Sequence, residues 1–429
     1  MPSQPTPTIS RLLADGTMIE LLYDAKSAQT VLAICPLGGT PRLESQYDLA
    51  GQECLVPYAP GNNLLTSGCV LLPSEVGDYT DKASLLAEIK AFIHRYVDLS
   101  PLFEDIAAHY VLLTWVHDAF NELPYLRFRG EFGTGKTRAL LAIGSLSYKG
   151  FFASGASTVS PIFHILHEFG GTLVLDEADL RFSDATADLT KILNNGNMKG
   201  LPVLRTMTNR HRELNPMAFK VFGPKLIAMR GSFADEGLES RFLTEETGGR
   251  PLRGDISIHL PDSMKAEALG LRNKLLAWRF AARSQIAVDP TRAIDGISPR
   301  GNQAALALLS LIDDPAIRKA IGAHLVTVEA RAAAQRANLP HVTMVRVLHR
   351  KFEGVGTPYV KIAELAQDYN SHAARTGDPL LSPKAVGEIV RKSLGLHTRK
   401  SNGVYIVPQD EKVSIAALAK RYGHTGTVK

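Results

Sequence analysis

Cysteine is scarce in this sequence. Cys35, Cys54 and Cys69 are its only three, all near the start. An odd number at these spacings builds no disulfide framework and fits no zinc pattern. Buried free thiols in a reducing compartment, the cytoplasm, are therefore expected. Long apolar runs are missing too. No stretch reaches the roughly 18 residues a membrane helix needs, so no membrane association is expected. The opening, MPSQPTPTISRLLADG, lacks a basic segment followed by an apolar one, and no secretory signal is expected. There is no long-period repeat and no low-complexity tract, which excludes solenoids and biased linkers.

What is present is a globular balance, with 45% hydrophobic and 21% charged residues in 429. That length implies two or three domains. The net charge of +5 is modest but uneven. From His341 onward, 14 Lys and Arg face 7 Asp and Glu, a local +7 that leaves −2 for the rest. A basic end on a near-neutral body is the electrostatic footprint of a nucleic-acid-binding module.

Five zones follow from the patterning. Residues 1–82 carry short apolar runs, Ile19–Tyr23 and Val31–Ile34, cut by the clusters Pro36–Pro41 and Pro57–Asn63. This predicts a small β-rich N-terminal domain. Residues 83–123 read as helices, with Leu85, Leu86, Ile89, Phe92, Ile93 and Tyr96 at helical spacing and Pro101 suited to a helix first turn. Residues 124–260 alternate apolar strands with helical patterns, an α/β core with a parallel sheet. Residues 261–340 form an Ala- and Leu-rich helical lid, and residues 341–429 the basic domain.

Gly130-Glu131-Phe132-Gly133-Thr134-Gly135-Lys136-Thr137 matches the P-loop pattern G-x-x-x-x-G-K-[ST] completely. Tyr125–Phe128 reads as the strand before it and Thr137–Ser145 as the helix after it. The glycines let successive N–H groups turn inward onto phosphate oxygens, and the helix adds its positive end. Lys136 supplies a cation for the β- and γ-phosphates of ATP, and Thr137 a hydroxyl for Mg²⁺. The partner motif is Gly171–Asp179, an apolar strand ending in Asp176-Glu177. Asp176 is the candidate Mg²⁺ carboxylate and Glu177 the candidate general base for the attacking water.

Beyond these lie Phe222–Arg230, another apolar strand with a polar end, and Gly237-Leu238-Glu239-Ser240-Arg241-Phe242. The order of P-loop, acid strand, polar-ended strand and Ser-Arg-Phe resembles AAA+ ATPases over roughly residues 124–310. The Ser-Arg-Phe segment is similar to the arginine-finger segment of minichromosome-maintenance helicases, and the whole resembles AAA+-like helicases of phages and other mobile elements. The resemblance implies that Arg241 reaches the γ-phosphate held by a neighbouring subunit, and that Arg300, in Ser298-Pro299-Arg300, is the second sensor in the lid. Arg230 stands where that family carries a small polar first sensor. The resemblance also implies a ring of six subunits and other replication proteins as partners. Between the acid strand and Arg230, Lys199, Arg205, Arg210 and Arg212 line a short run with a basic tip. Ring helicases of this kind carry basic hairpins in the channel, gripping the phosphate backbone.

In the basic end, Val360–Ile362 reads as a strand and Ile362–His372 as an amphipathic helix. Ser382-Pro383 starts a second helix running to about Leu394, and Ser401-Asn402-Gly403 turns a hairpin. This is the order of a winged helix, with Arg391, Lys392, Arg399 and Lys400 as the candidate DNA contacts. Winged helices also bind proteins; the local +7 favours DNA. The sequence thus points to an ATP-hydrolysing, ring-forming DNA motor, a replicative helicase or replication initiator. The alternative is a nucleotide-dependent regulatory switch that assembles on DNA or protein. A small-molecule kinase is disfavoured by the acid pair and the basic module.

Overall fold

The computed structural model describes residues 5–49, 53–155, 157–176, 184–208, 214–233, 235–249, 251–337, 339–353, 357–376 and 378–422. The chain forms two compact units, Met1–His324 and Leu325–Lys429.

Seven short strands open the first unit: β1 (Pro5–Thr8), β2 (Ser10–Leu12), β3 (Met18–Asp24), β4 (Gln29–Cys35), β5 (Arg42–Glu44), β6 (Tyr47–Leu49) and β7 (Glu53–Pro57). β2-β3-β4-β5 make an antiparallel sheet and β1-β7-β6 a second, small one. The β3–β4 turn forms because Asp24 accepts hydrogen bonds from the Lys26 amide at 3.0 Å and the Ser27 hydroxyl at 2.7 Å. Ile19, Leu21, Leu32, Ile34 and Leu55 enter one hydrophobic cluster with Ile162, Phe163, Leu175 and Ile227 of the α/β core. The β-rich start is thus packed into the body of this unit.

After α1 (Asn63–Thr66) come α2 (Lys82–Tyr96), capped by Asp81, and α3 (Pro101–Val116), which is buried along nearly its whole length. The core then alternates: β8 (Tyr125–Arg129), α4 (Lys136–Leu146), β9 (Phe151–Ser154), α5 (Val159–Phe169), β10 (Leu173–Asp176) and α6 (Asp184–Asn195). An antiparallel hairpin follows, β11 (Val203–Thr208) and β12 (Leu214–Phe219), then β13 (Lys225–Met229), α7 (Glu236–Glu239) and β14 (Phe242–Glu246). The five sheet strands run in the order β14-β8-β13-β10-β9, all parallel. The two faces of the inner strands are covered, which is why β10 and β13 carry the apolar runs Leu173–Leu175 and Leu226–Met229. Helices α8 (Ser263–Ala282), α9 (Pro299–Leu309) and α10 (Pro315–Ala337) follow, α10 continuing into the second unit.

A buried charge cluster ties three of these regions together. Arg279 of α8 donates to Glu20 of β3 at 2.9 Å and to Asp118 at 2.8 Å, and the Tyr148 hydroxyl donates to Glu20 at 2.7 Å. Lys149 adds its ammonium 3.6 Å from Glu20. Each charge has a partner, without which burial at such depth would be prohibitive.

The second unit contains α11 (Pro340–Glu353), β15 (Tyr359–Lys361), α12 (Ile362–Thr376), α13 (Pro383–Glu388), the hairpin β16 (Arg399–Ser401) and β17 (Val404–Pro408), and α14 (Lys412–Arg421). Its sheet is β15-β17-β16, antiparallel. Ser382 caps α13, and Asn402 and Gly403 take left-handed φ values of 48° and 82° in the hairpin turn. Two features depart from the sequence expectation. The helix of Pro383 loosens into a π-helical turn over Ile389–Ser393, and α14 continues the chain after the hairpin, burying Ile415 and Ala419.

Candidate active site

β8 is the branch point of the sheet. The chain leaves it for β9 at one edge and later returns to its other side as β14. In parallel sheets the crevice at the carboxyl ends beside such a point is where ligands bind. The loop Gly130–Gly135 leaves β8 there and enters α4. Gly135 precedes the helix with φ 86°, a left-handed turn that suits glycine. A Cβ on Gly130 would fall 2.5 Å from the Thr247 carbonyl oxygen, so only glycine allows that approach. The loop is braced from β14's end: the Thr134 hydroxyl is hydrogen-bonded to Thr247 Oγ1 at 2.8 Å, and the Thr247 amide donates to Arg129 O at 2.7 Å.

Lys136 Nζ donates to the carbonyls of Gly130 at 2.7 Å and Glu131 at 2.6 Å, folded over its own loop. Thr137, in the first turn of α4, donates its hydroxyl to Asp176 Oδ2 at 2.7 Å. Hydroxyl and carboxylate therefore come together from segments 39 residues apart. An ammonium held by loop carbonyls, a helix amino end, and a hydroxyl beside a carboxylate form a donor set suited to a nucleoside triphosphate with a divalent ion. Glu177, next to Asp176, lies outside the described residues.

β13 runs between β8 and β10, so its carboxyl end opens between the loop and Asp176. Arg230 follows that end, its guanidinium 4.3 Å from the centre of the exposed Phe132 ring in the loop. Arg241 follows α7 and turns onto α6, donating from Nη1 to the carbonyls of Leu193 and Asn194 at 3.2 and 3.0 Å and to Asn194 Oδ1 at 2.7 Å. Burial, with the charge of Arg300 behind it, holds this guanidinium below the ordinary arginine value, against the pull of Tyr125. Arg300 lies beside α7, where a Cβ on Gly237 would meet its Nη1 at 3.2 Å. Arg300 is thus near enough for its charge to be felt by Arg241.

The basic segment after α6 is a hairpin, and its register sorts the side chains. Val203, Arg205 and Met207 oppose Phe219, Met217 and Asn215 on one face, while Leu204 and Thr206 oppose Ala218 and Pro216 on the other. Val203 and Phe219 are buried, so the first face is the inner one. Arg205 lies there with its guanidinium 4.5 Å from the Phe163 ring centre and 3.5 Å from Asp188. The sequence groups Arg205 with the outward basic tip; strand parity turns it inward instead. Leu204 and Leu214 are exposed, at 71% and 75%. Arg210 and Arg212 fall outside the described residues. Lys199 donates to Asp118 O at 2.7 Å at the hairpin's base.

In the second unit Arg391, Lys392, Arg399 and Lys400 are all exposed. The first two ride on the π-helical turn and the others on β16. Arg391 donates to Thr398 Oγ1 at 3.3 Å and lies 5.9 Å from the Tyr405 ring centre, tying the turn to the hairpin.

Sequence reading passed over Arg127 and Asn194. Arg127 is a charge in the middle of a strand buried on both faces, a pattern that calls for a partner; here it is Glu239. Asn194 has no such signal, being one polar residue among several at a helix end.

No protein-family model matches the chain. No curated protein matches it. Among solved structures, the C-terminal region of NrS-1 is similar at 12% identity and TM-score 0.38, covering 91% of this chain and 96% of that one. The active helicase Cch of SCCmec type IV is similar at 14% identity and TM-score 0.37, covering 96% and 81%. A full-length MCM homolog from Methanopyrus kandleri is similar at 13% identity and TM-score 0.35, covering 70% and 68%. Among the described residues no helix is long and apolar enough to cross a membrane.

Proposed function

We propose that this chain is an AAA+-type ATPase that works as a ring-forming DNA motor, a replicative helicase or replication initiator of a phage or other mobile element. The observation that carries the reading is the meeting of Thr137 and Asp176 at 2.7 Å beside the amino end of α4, with Lys136 folded over the adjoining loop. Backbone amides of Gly130–Thr137 bind the phosphates of ATP, and Lys136 exchanges loop carbonyls for phosphate oxygens. Thr137 and Asp176 are the residues that would hold Mg²⁺, which when bound neutralises charge on the β- and γ-oxygens. Glu177 accepts the proton of the attacking water. Arg230, at the end of β13, and Arg300 complete the nucleotide contacts, and Arg241 acts on the site of a neighbouring subunit.

The DNA side of the reading rests on two exposed structures. Arg210 and Arg212, which lie between β11 and β12 in the sequence, serve for sequence-independent grip on one strand, with Arg205 bracing the hairpin from behind. The helix order, three-stranded sheet and turned hairpin of the second unit support reading it as a winged helix, in which Arg391, Lys392, Arg399 and Lys400 contact duplex phosphates. Steady-state ATP hydrolysis with and without single-stranded DNA tests this. The reading expects DNA to raise turnover several-fold and Glu177→Gln to abolish it. Slow turnover indifferent to DNA sinks the motor and leaves a nucleotide-dependent switch.

A further inference from the structure

Arg127 lies in mid-strand in β8, three residues before Gly130, and is 3% exposed. Its Nη1 and Nη2 donate to the two carboxylate oxygens of Glu239 at 2.6 and 2.7 Å, and its Nε to Thr244 Oγ1 at 3.0 Å. The guanidinium lies 4.6 Å from the Phe242 ring centre. Glu239 also accepts from the Phe233 amide at 2.6 Å. A two-pronged pair of this kind fixes angle as well as distance. Burying it brings little net stability over an apolar pair of equal volume, so its geometry is the more telling property. What it orients is the last residue of α7, two positions before Arg241. Arg241 has a second tether of its own. Asn194 accepts from it at 2.7 Å and donates to Asp235, the cap of α7, at 2.9 Å. The segment bearing Arg241 is therefore joined both to the P-loop strand and to the helix that follows the acid strand.

We propose that Glu239, clamped by Arg127, is a positioning residue that sets Arg241 for the nucleotide held by the neighbouring subunit. Each subunit's P-loop strand then governs the arginine delivered to the next site. This rests on Arg241 acting across a subunit interface, as proposed above.

Glu239→Gln breaks the fork while leaving its own P-loop, Thr137 and Asp176 intact. Turnover should fall on the order of 10²-fold, as for a reacting group misplaced by about 1 Å. KM for ATP should change by less than about threefold, because the subunit's own cradle is untouched. The deciding measurement mixes Glu239→Gln with Glu177→Gln subunits. Neither is active alone, but one contributes an intact Glu177 and the other a well-placed Arg241. In an equal random mixture about a quarter of interfaces unite the two, so up to about a quarter of wild-type turnover should return. A parallel mixture of Arg241→Ala with Glu177→Gln separates the two claims. If that mixture regains activity and the Glu239→Gln mixture does not, Glu239 serves its own site and the proposal is overturned. If neither regains activity, the reading of Arg241 as acting in trans fails, and the proposal with it. Should Glu239→Gln not assemble, Glu239→Asp, which keeps the charge on a shorter arm, is put through the same mixtures. Failure of both variants to assemble assigns the fork to folding alone and also overturns the proposal.

Discussion

Lys225 opens β13 with its side chain fully buried. Its Nζ donates to the carbonyls of Gly223 at 2.9 Å, Val221 at 3.0 Å and Gly196 at 3.4 Å, and lies 5.0 Å from the Tyr125 ring centre. It thereby pins the chain leaving the β11–β12 hairpin to the end of α6. Burial pushes its pKa down from 10.5 to about 7. The folded value lies below the unfolded one, so between about pH 7 and 10.5 the unfolded chain holds the extra proton. Stability contributed by this group must then rise with pH across that window, by up to roughly 1.4 kcal/mol per pH unit and at most about 5 kcal/mol in all. Lys225→Met removes the titration and leaves three carbonyls without this donor, a cost independent of pH. Urea unfolding at pH 7, 8 and 9 isolates the effect, read by the fluorescence of Trp115 and Trp278, both in the unit that holds Lys225. Wild type should gain about 2 kcal/mol over the variant from pH 7 to 9. A gap that stays constant would refute the reasoning and mean that the carbonyl cage keeps Lys225 charged throughout.

Two further outcomes concern the site and the basic unit. Thr137→Ala should lower Mg²⁺-dependent turnover on the order of 10²-fold while nucleotide binding in the presence of a chelator stays close to wild type; a magnesium titration of hydrolysis checks this. Replacing Arg399 and Lys400 together by Ala should weaken duplex binding evenly across sequences and reduce the salt slope by about 2, one unit per phosphate contact, as fluorescence anisotropy at several salt concentrations would read.

The turn from β8 through Gly130–Gly135 into α4 was legible because its glycines lie close together between a strand pattern and a helix pattern. The end of β10 at Asp176 was legible because an apolar run gives way to acids there. The Asn402-Gly403 turn was legible for a similar local reason, since both φ values must be positive. The rest depends on what meets across the fold. Arg127 and Glu239 are 112 positions apart and Glu20 and Arg279 are 259 apart, so no window of sequence contains either pair. The inward turn of Arg205 depends on strand parity, and a shift of one residue would reverse it. The strands of residues 5–57 were readable as strands. That their apolar face closes against Ile162 and Phe163 was not, because alternation shows that a face is buried and not what covers it. The π-helical turn and α14 escaped because segments of 5 and 10 residues carry little periodicity.

The central claim is that ATP turnover at Thr137, Asp176 and Glu177 moves the chain along DNA. Strand separation of a labelled forked duplex, with wild type and Glu177→Gln at saturating ATP and Mg²⁺, tests it most directly. The account predicts ATP-dependent release of the labelled strand by wild type and none by Glu177→Gln, although the variant still binds the fork. Vigorous ATP hydrolysis on the fork with no strand released by wild type would contradict it.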